Sequence, residues 1–124
     1  MEQKPKVLIV DDEPFNIDYL EQELEDSKCQ ILTAANGLEA LDKIQRDLPD
    51  LILLDLMMPV LDGFVVLAHV KADPDLRDIP VIIISAANDS RSIVKGIKQG
   101  ADDYLTKPVD EKLLAQKLKE YLGY

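Results

Sequence analysis

The sequence predicts a doubly wound α/β fold, and three observations carry that expectation. Short apolar runs alternate along the chain with stretches of helical spacing. Turn-forming residues fall between the two patterns. Three of the runs are apolar throughout, as central strands of a parallel sheet are when helices cover both faces, and two carry polar residues.

The elements follow in order. The first run is VLIV from Val7, and Pro14 stands where a first helical turn would begin. Ile17, Leu20 and Leu24 then share a helical face. The second run is ILTA from Ile31, closed by Asn36-Gly37, and Leu38, Leu41, Ile44 and Leu48 form the next apolar face. Pro49-Asp50 leads into LILL from Leu51, and Asp62-Gly63 opens a helix carrying Val66, Leu67 and Val70. After Asp73-Pro74 comes VIII from Val81, then a helix with Ile93, Val94 and Ile97 that ends at Gly100. The fifth run, YLT from Tyr104, precedes a last helix marked by Leu114, Leu118, Tyr121 and Leu122. Five strands alternating with five helices imply a parallel sheet. Gln30 and Thr33 mark the second strand as an edge, and Asp103 and Thr106 mark the fifth. Placing strands one, three and four in the middle fits the order 2-1-3-4-5, that of the flavodoxin-like (βα)5 folds.

The size of 124 residues suits a single domain over residues 1–124. At 47% hydrophobic and 31% charged residues, the composition is that of a globular chain and not a disordered one. A single cysteine, Cys29, excludes an internal disulfide and suits a reducing compartment. The apolar strings are too short for a membrane span or a signal peptide. A soluble cytoplasmic protein is therefore expected, with no membrane partner. The net charge of −10 repels nucleic acid phosphates, so no direct nucleic acid binding is expected.

The chemistry lies at the strand ends. The first strand ends in Asp11-Asp12-Glu13, the third in Asp55, the fourth in Ser85 followed by Ala86, and the fifth in Lys107-Pro108. In a parallel sheet these ends share one edge, where ligands of such sheets bind. Clustered carboxylates need a shared cation or proton. Mg2+ answers that need with one or two carboxylates, water and a phosphate oxygen. A lysine and a hydroxyl aimed at the same point serve a phosphate, and aspartate is a known phosphoryl nucleophile. Taken singly, the acids could instead favour the N-terminus of the helix after Pro14, and Asp55 could be an ordinary loop residue. Their joint placement at four strand ends argues for phosphoryl transfer.

At VLIVDDEP, LILLDLMMPVLDG, IIISA and GADDYLTKP, in this order, the sequence resembles the response-regulator receiver family over nearly the whole chain. The resemblance implies a phosphoacceptor switch of a two-component phosphorelay, not a classical enzyme. It would accept a phosphoryl group from a sensor histidine kinase or a histidine phosphotransfer protein. By the same resemblance Asp55 is the phosphoacceptor, and Mg2+ (or Mn2+) is held by Asp12 directly, with Asp55 and the backbone carbonyl of Met57, and by Asp11 through metal-bound water. Ser85 and Ala86 bind the phosphoryl group, Ser85 through its hydroxyl, and Lys107 is the counter-ion. Tyr104 is the aromatic that rotates with Ser85, and the Lys107-Pro108 bond is expected to be cis. Met57 and Ala87 flank the path of a hydrolytic water. A phosphorylation-dependent homodimer is one partner the remodelled face would suit. Ser85 stands where threonine is commoner, and Val60-Leu61 replaces a frequent Gly-Met pair. The output is expected elsewhere, on a separate protein or another segment of a longer regulator.

Other readings fit less well. A phosphatase with an aspartyl nucleophile usually has a second acid two residues on, where this chain has Met57. A flavodoxin-like cofactor carrier needs a phosphate-cradling loop after the first strand, and here that loop is acidic. A receiver-like module that binds partners without phosphorylation would lack one of the acids or the lysine, and none is missing. His69 has no second histidine for a zinc site. Cys29 reads as a packed side chain, and Lys112, Lys117 and Lys119 as a solvated face.

Overall fold

A computed structural model of the chain describes residues 4–25, 28–58, 61–86 and 88–123. The apolar runs form β1 (Lys6–Val10), β2 (Gln30–Ala34), β3 (Leu51–Asp55), β4 (Val81–Ala86) and β5 (Asp103–Lys107). They pair in parallel as one sheet in the order β2-β1-β3-β4-β5. Between and after them lie α1 (Pro14–Leu24), α2 (Gly37–Asp47), α3 (Gly63–Ala72), α4 (Ser90–Lys98) and α5 (Glu111–Leu122). The flavodoxin-like order expected from the polar content of the second and fifth runs is the one observed. Every residue of β3 is buried, whereas the edge strands β2 and β5 each have a single buried residue.

Alternation along the central strands splits the interior into two cores. Leu8, Val10, Ile52, Leu54, Val81 and Ile83 face α2 and α3 through Ala40, Ile44, Val66, Leu67 and Val70. Val7, Ile9, Leu51, Leu53, Ile82 and Ile84 face α1 and α5 through Leu20, Leu24, Leu114 and Leu118. Each large aliphatic side chain so buried contributes about 1.5–3 kcal/mol. Both faces of the sheet are thereby fixed, and only its ends remain open to carry polar groups.

Two expected helical faces are narrower than their spacing suggested. On α2 the buried stripe is Gly37, Ala40 and Ile44, while Leu38 and Leu48 are exposed. Leu48 has left the helix with φ 49, because Pro49 follows and disfavours a right-handed helical conformation before it. On α4 Ile93 and Gly96 are buried and Val94 and Ile97 are exposed. Lys117 is not on a solvated face. Its Nζ lies 2.6 Å from Asp103 Oδ2, and Tyr121 donates to the same oxygen at 3.2 Å. Burial pushes the Asp103 carboxyl up, but the hydrogen bond and charge of Lys117 outweigh it and leave it below the usual range. This pairing fastens α5 to the start of β5. His69 is exposed and Cys29 buried.

The C-terminal end of α4 is fastened too. Gly100 adopts φ 114, a conformation open to glycine, and lets the chain turn out of α4. Beyond it Asp102 Oδ2 accepts from the Val81 amide at 2.8 Å and from Lys71 Nζ at 3.1 Å. Lys71 also donates to the carbonyls of Arg77 and Ile79. One carboxylate and one ammonium thus join α3, β4 and the turn before β5. Among the described residues no helix is long and apolar enough to cross a membrane.

Candidate functional site

Register brings the acids together. Val10 pairs with Leu54, so the next residues, Asp11 and Asp55, emerge side by side at the edge of the sheet. Asp11 is 2% exposed and Asp55 6%. Carboxylate oxygens of Asp11, Asp12 and Asp55 all lie within 4.8 Å of one another. From β5, Lys107 Nζ reaches Asp11 Oδ2 at 3.2 Å and Asp55 Oδ2 at 3.7 Å. The acids do not cap α1. Glu13 occupies the N-cap position without a side-chain cap, and Asp11 Oδ1 accepts from the Glu13 amide at 3.0 Å.

Local sequence holds Asp55 in place. The Met57 amide donates to Asp55 Oδ1 at 3.2 Å. The Gly63 amide donates to the Leu56 carbonyl at 2.9 Å. A Cβ on Gly63 would lie 2.4 Å from the Asp55 carbonyl oxygen, so only glycine allows α3 to start so close to β3. Asp62 caps that helix through the Val65 amide at 3.1 Å. On the other side the Lys107-Pro108 bond is cis, as expected. Tyr19 of α1 donates to the Val109 carbonyl at 2.7 Å, anchoring the loop after Lys107.

Electrostatics follow from this crowding. Burial, then the charge of Asp11, push the Asp55 carboxyl up to about 6, against the opposing pull of Lys107 and the Met57 amide. Burial works against the charged Lys107, but Asp55 and Asp11 hold its ammonium above the ordinary lysine value. Three carboxylates against one ammonium leave an excess of negative charge in a hard-oxygen cage. That donor set fits Mg2+, which prefers carboxylate oxygen and a phosphate partner.

The remaining expected residues among those described lie on β4, on β5 and just after β3. Ser85 is 2% exposed and pairs with Thr106. Its hydroxyl lies 3.4 Å from Asp89 Oδ2, a bond directed toward the start of α4. Ala86 is the last residue of β4 and pairs with Lys107. Tyr104 is 47% exposed and borders a cleft with Ser90, Ile93, Ile97 and Thr106. Met57 is 63% exposed. Val60 and Ala87 lie outside the described residues, and Leu61 packs over Gly37. Sequence reasoning passed over Asp89 and Tyr19. Nothing in the spacing distinguishes Asp89 from a routine helix cap, and Tyr19 reads as one more residue of α1.

Residues 7–119 match the family model described as response regulator receiver domain. The response regulator PleD of Caulobacter vibrioides is 42% identical over 114 residues, covering 92% of this chain and 25% of that protein. The chain therefore spans about a quarter of that relative. A putative response regulator from Chloroflexus aurantiacus superposes with a TM-score of 0.92 at 31% identity, covering 98% of this chain and all of the other. The receiver domain of the sensor histidine kinase PA1611 from Pseudomonas aeruginosa, which has a magnesium ion coordinated in its active site cleft, superposes with a TM-score of 0.89. It is 28% identical, covering 98% of this chain and 100% of its own.

Proposed function

Since the chain belongs to the response-regulator receiver family, the phosphoacceptor switches of two-component signalling, we propose that Asp55 is its phosphoacceptor and Asp11, Asp12 and Lys107 the groups that make it one. The convergence of three carboxylates and one ammonium within one cluster carries this reading. Residues 1–124 are read as a single receiver domain. Its phosphodonor is a sensor histidine kinase or histidine phosphotransfer protein, and its setting is the cytoplasm, where such donors present their phosphohistidine. The domain catalyses its own phosphorylation and dephosphorylation only.

An Asp55 carboxylate oxygen bonds to phosphorus as the bond from phosphorus to the donor's imidazole nitrogen breaks, leaving the electron pair on that nitrogen. Asp11, Asp12, Asp55 and the Met57 carbonyl would hold Mg2+, which neutralises charge on the phosphoryl oxygens when bound. Lys107 already touches Asp55 and needs little movement to pair with a phosphoryl oxygen. Ser85 turns its hydroxyl to another such oxygen, and Tyr104 rotates inward as Ser85 moves. The face of α4, β5 and α5 is then the surface a partner, or a second copy of the chain, would read.

A small phosphodonor tests the reading. With Mg2+ the protein is expected to gain one phosphoryl group by intact mass, stable in acid and released by hydroxylamine. EDTA, or Asp12→Ala, should cut the yield at least about tenfold, because the remaining oxygens hold the cation poorly. Full yield without a divalent cation would overturn the metal assignment.

The duration of the signal follows from Met57. Its exposed thioether cannot orient an attacking water and can screen the phosphoryl group. Loss of the aspartyl phosphate is expected to take minutes to hours. Replacing Met57 with Asn and Ala87 with Glu should speed the decay about tenfold by restoring groups that orient water. Decay within seconds in the wild type, or none of that acceleration, would show that these positions do not set the lifetime.

A further inference from the structure

Asp89 stands at the N-cap position of α4, yet it does not cap that helix. Three other helices show what a short polar residue does there. Asn36 accepts from the Glu39 amide at 2.9 Å, Asp62 from Val65 at 3.1 Å and Asp110 from Lys112 at 3.0 Å. All three have extended backbones, with ψ of 173, 166 and 125. Asp89 departs from them with φ −103 and ψ 53. Its carboxylate turns back across the loop to Ser85 Oγ, 3.4 Å away. The buried Ser85 hydroxyl needs a partner, and Asp89 supplies it. In return the amides of Arg91 and Ser92, which a carboxylate at this position would serve, forgo a side-chain cap.

We propose that Asp89 is a two-position carboxylate that holds the Ser85 hydroxyl at rest and caps α4 once a phosphoryl oxygen has taken that hydroxyl. The proposal rests on the reading of Ser85 as the phosphoryl-binding hydroxyl. The two hydrogen bonds are mutually exclusive, because one carboxylate cannot lie back over Ser85 and forward over Ser92 on the same backbone. The change requires Asp89 to move toward extended ψ, so the first turn of α4 shifts with it. Occupancy of Asp55 is thereby transmitted to α4 by exchange of partners at a single carboxylate, alongside any rotation of Tyr104.

Amide NMR of the full chain tests it, with beryllofluoride and Mg2+ as the phosphoryl mimic. In the wild type the Arg91 or Ser92 amide proton is expected to move downfield on addition of the mimic, as a new bond to a carboxylate forms. In Ser85→Ala the same proton should already be downfield without the mimic, since Asp89 has lost its resting partner. In Asp89→Ala it should move in neither state. Because Asp89 caps nothing at rest, this variant is expected to fold. If Ser85→Ala at rest matches the resting wild type at Arg91 and Ser92, the exchange is refuted. Retention of the wild-type shift in Asp89→Ala refutes it as well. The affinity of Ser85→Ala for beryllofluoride judges the underlying reading separately. A loss of about fivefold, the worth of one hydrogen bond, supports the role of Ser85. Undiminished affinity removes that role, while the resting spectrum of Ser85→Ala still decides what Asp89 does.

Discussion

Asp55→Asn is expected to abolish acyl-phosphate formation, lowering the adduct at least about 100-fold against wild type in the same donor and Mg2+. An amide oxygen is a poor nucleophile and cannot carry the charge that draws the metal and Lys107 together. The neighbouring acids are poor substitutes for different reasons. Asp11 is buried, with one oxygen held by the Glu13 amide and the other by Lys107. Asp12 is partly exposed and is the nearest alternative acceptor. Intact mass and hydroxylamine release on the variant measure the effect. A residual adduct mapped by peptide mass to Asp12 would move the acceptor there. An undiminished one would end the assignment of Asp55.

The second large effect is on stability and needs no phosphate. An unfolded Asp55 titrates near 4, as aspartate does, whereas the folded one is pushed up to about 6. Between those values the folded state keeps a proton that the unfolded state has released. Metal-free protein is therefore expected to be most favoured by this group below pH 4, and to lose that contribution as pH rises through 6. The loss is about 3 kcal/mol, with little solvent screening at a carboxylate 6% exposed. Asp55→Asn removes the titration. In EDTA at pH 7.5 it should melt about 5 °C or more above wild type, and the gap should close toward pH 4.5. Mg2+ should raise the wild type and leave Asp55→Asn much less affected. Parallel melting curves for the two proteins across this range would show that the buried charge is already compensated.

The strand order and the site acids were legible because each depends on local pattern. Apolar runs unbroken on both faces must be central, and polar residues such as Gln30 and Asp103 must sit at edges. Once the order is known, parallel register alone gathers Asp11, Asp55, Ser85 and Lys107. The helices were less legible where neighbouring elements decide burial. Leu38 and Val94 have core-like spacing, but α2 packs through Gly37, Ala40 and Ile44, and α4 through Ile93 and Gly96. A Cβ on Gly96 would strike Ile83, so that contact is set by the absence of a side chain, which hydrophobic periodicity does not register. The partners of Lys117, Lys71 and Asp89 were equally hidden. Each bond joins elements whose relative placement only the folded chain defines, apart from Asp89, whose four-residue reach back to Ser85 competes with a local cap.

The node at Lys71 and Asp102 makes α4 a lever with a fixed fulcrum. Its C-terminal end is tied through Asp102 to β4 and α3, and its N-terminal end has no side-chain cap. Nine helical residues span about 13 Å, so a tilt of about 10° about the tied end carries the first turn about 2 Å. The travel diminishes along the helix. Ser90 and Arg91 sweep the full arc, Val94 about half of it, and Lys98 almost none. A protein gripping Lys98 and Gln99 would stay seated whatever the state of Asp55, while one gripping Arg91 and Val94 would be pushed off or drawn in. Steady anchorage and signal-dependent contact can therefore occupy the same helix, two turns apart.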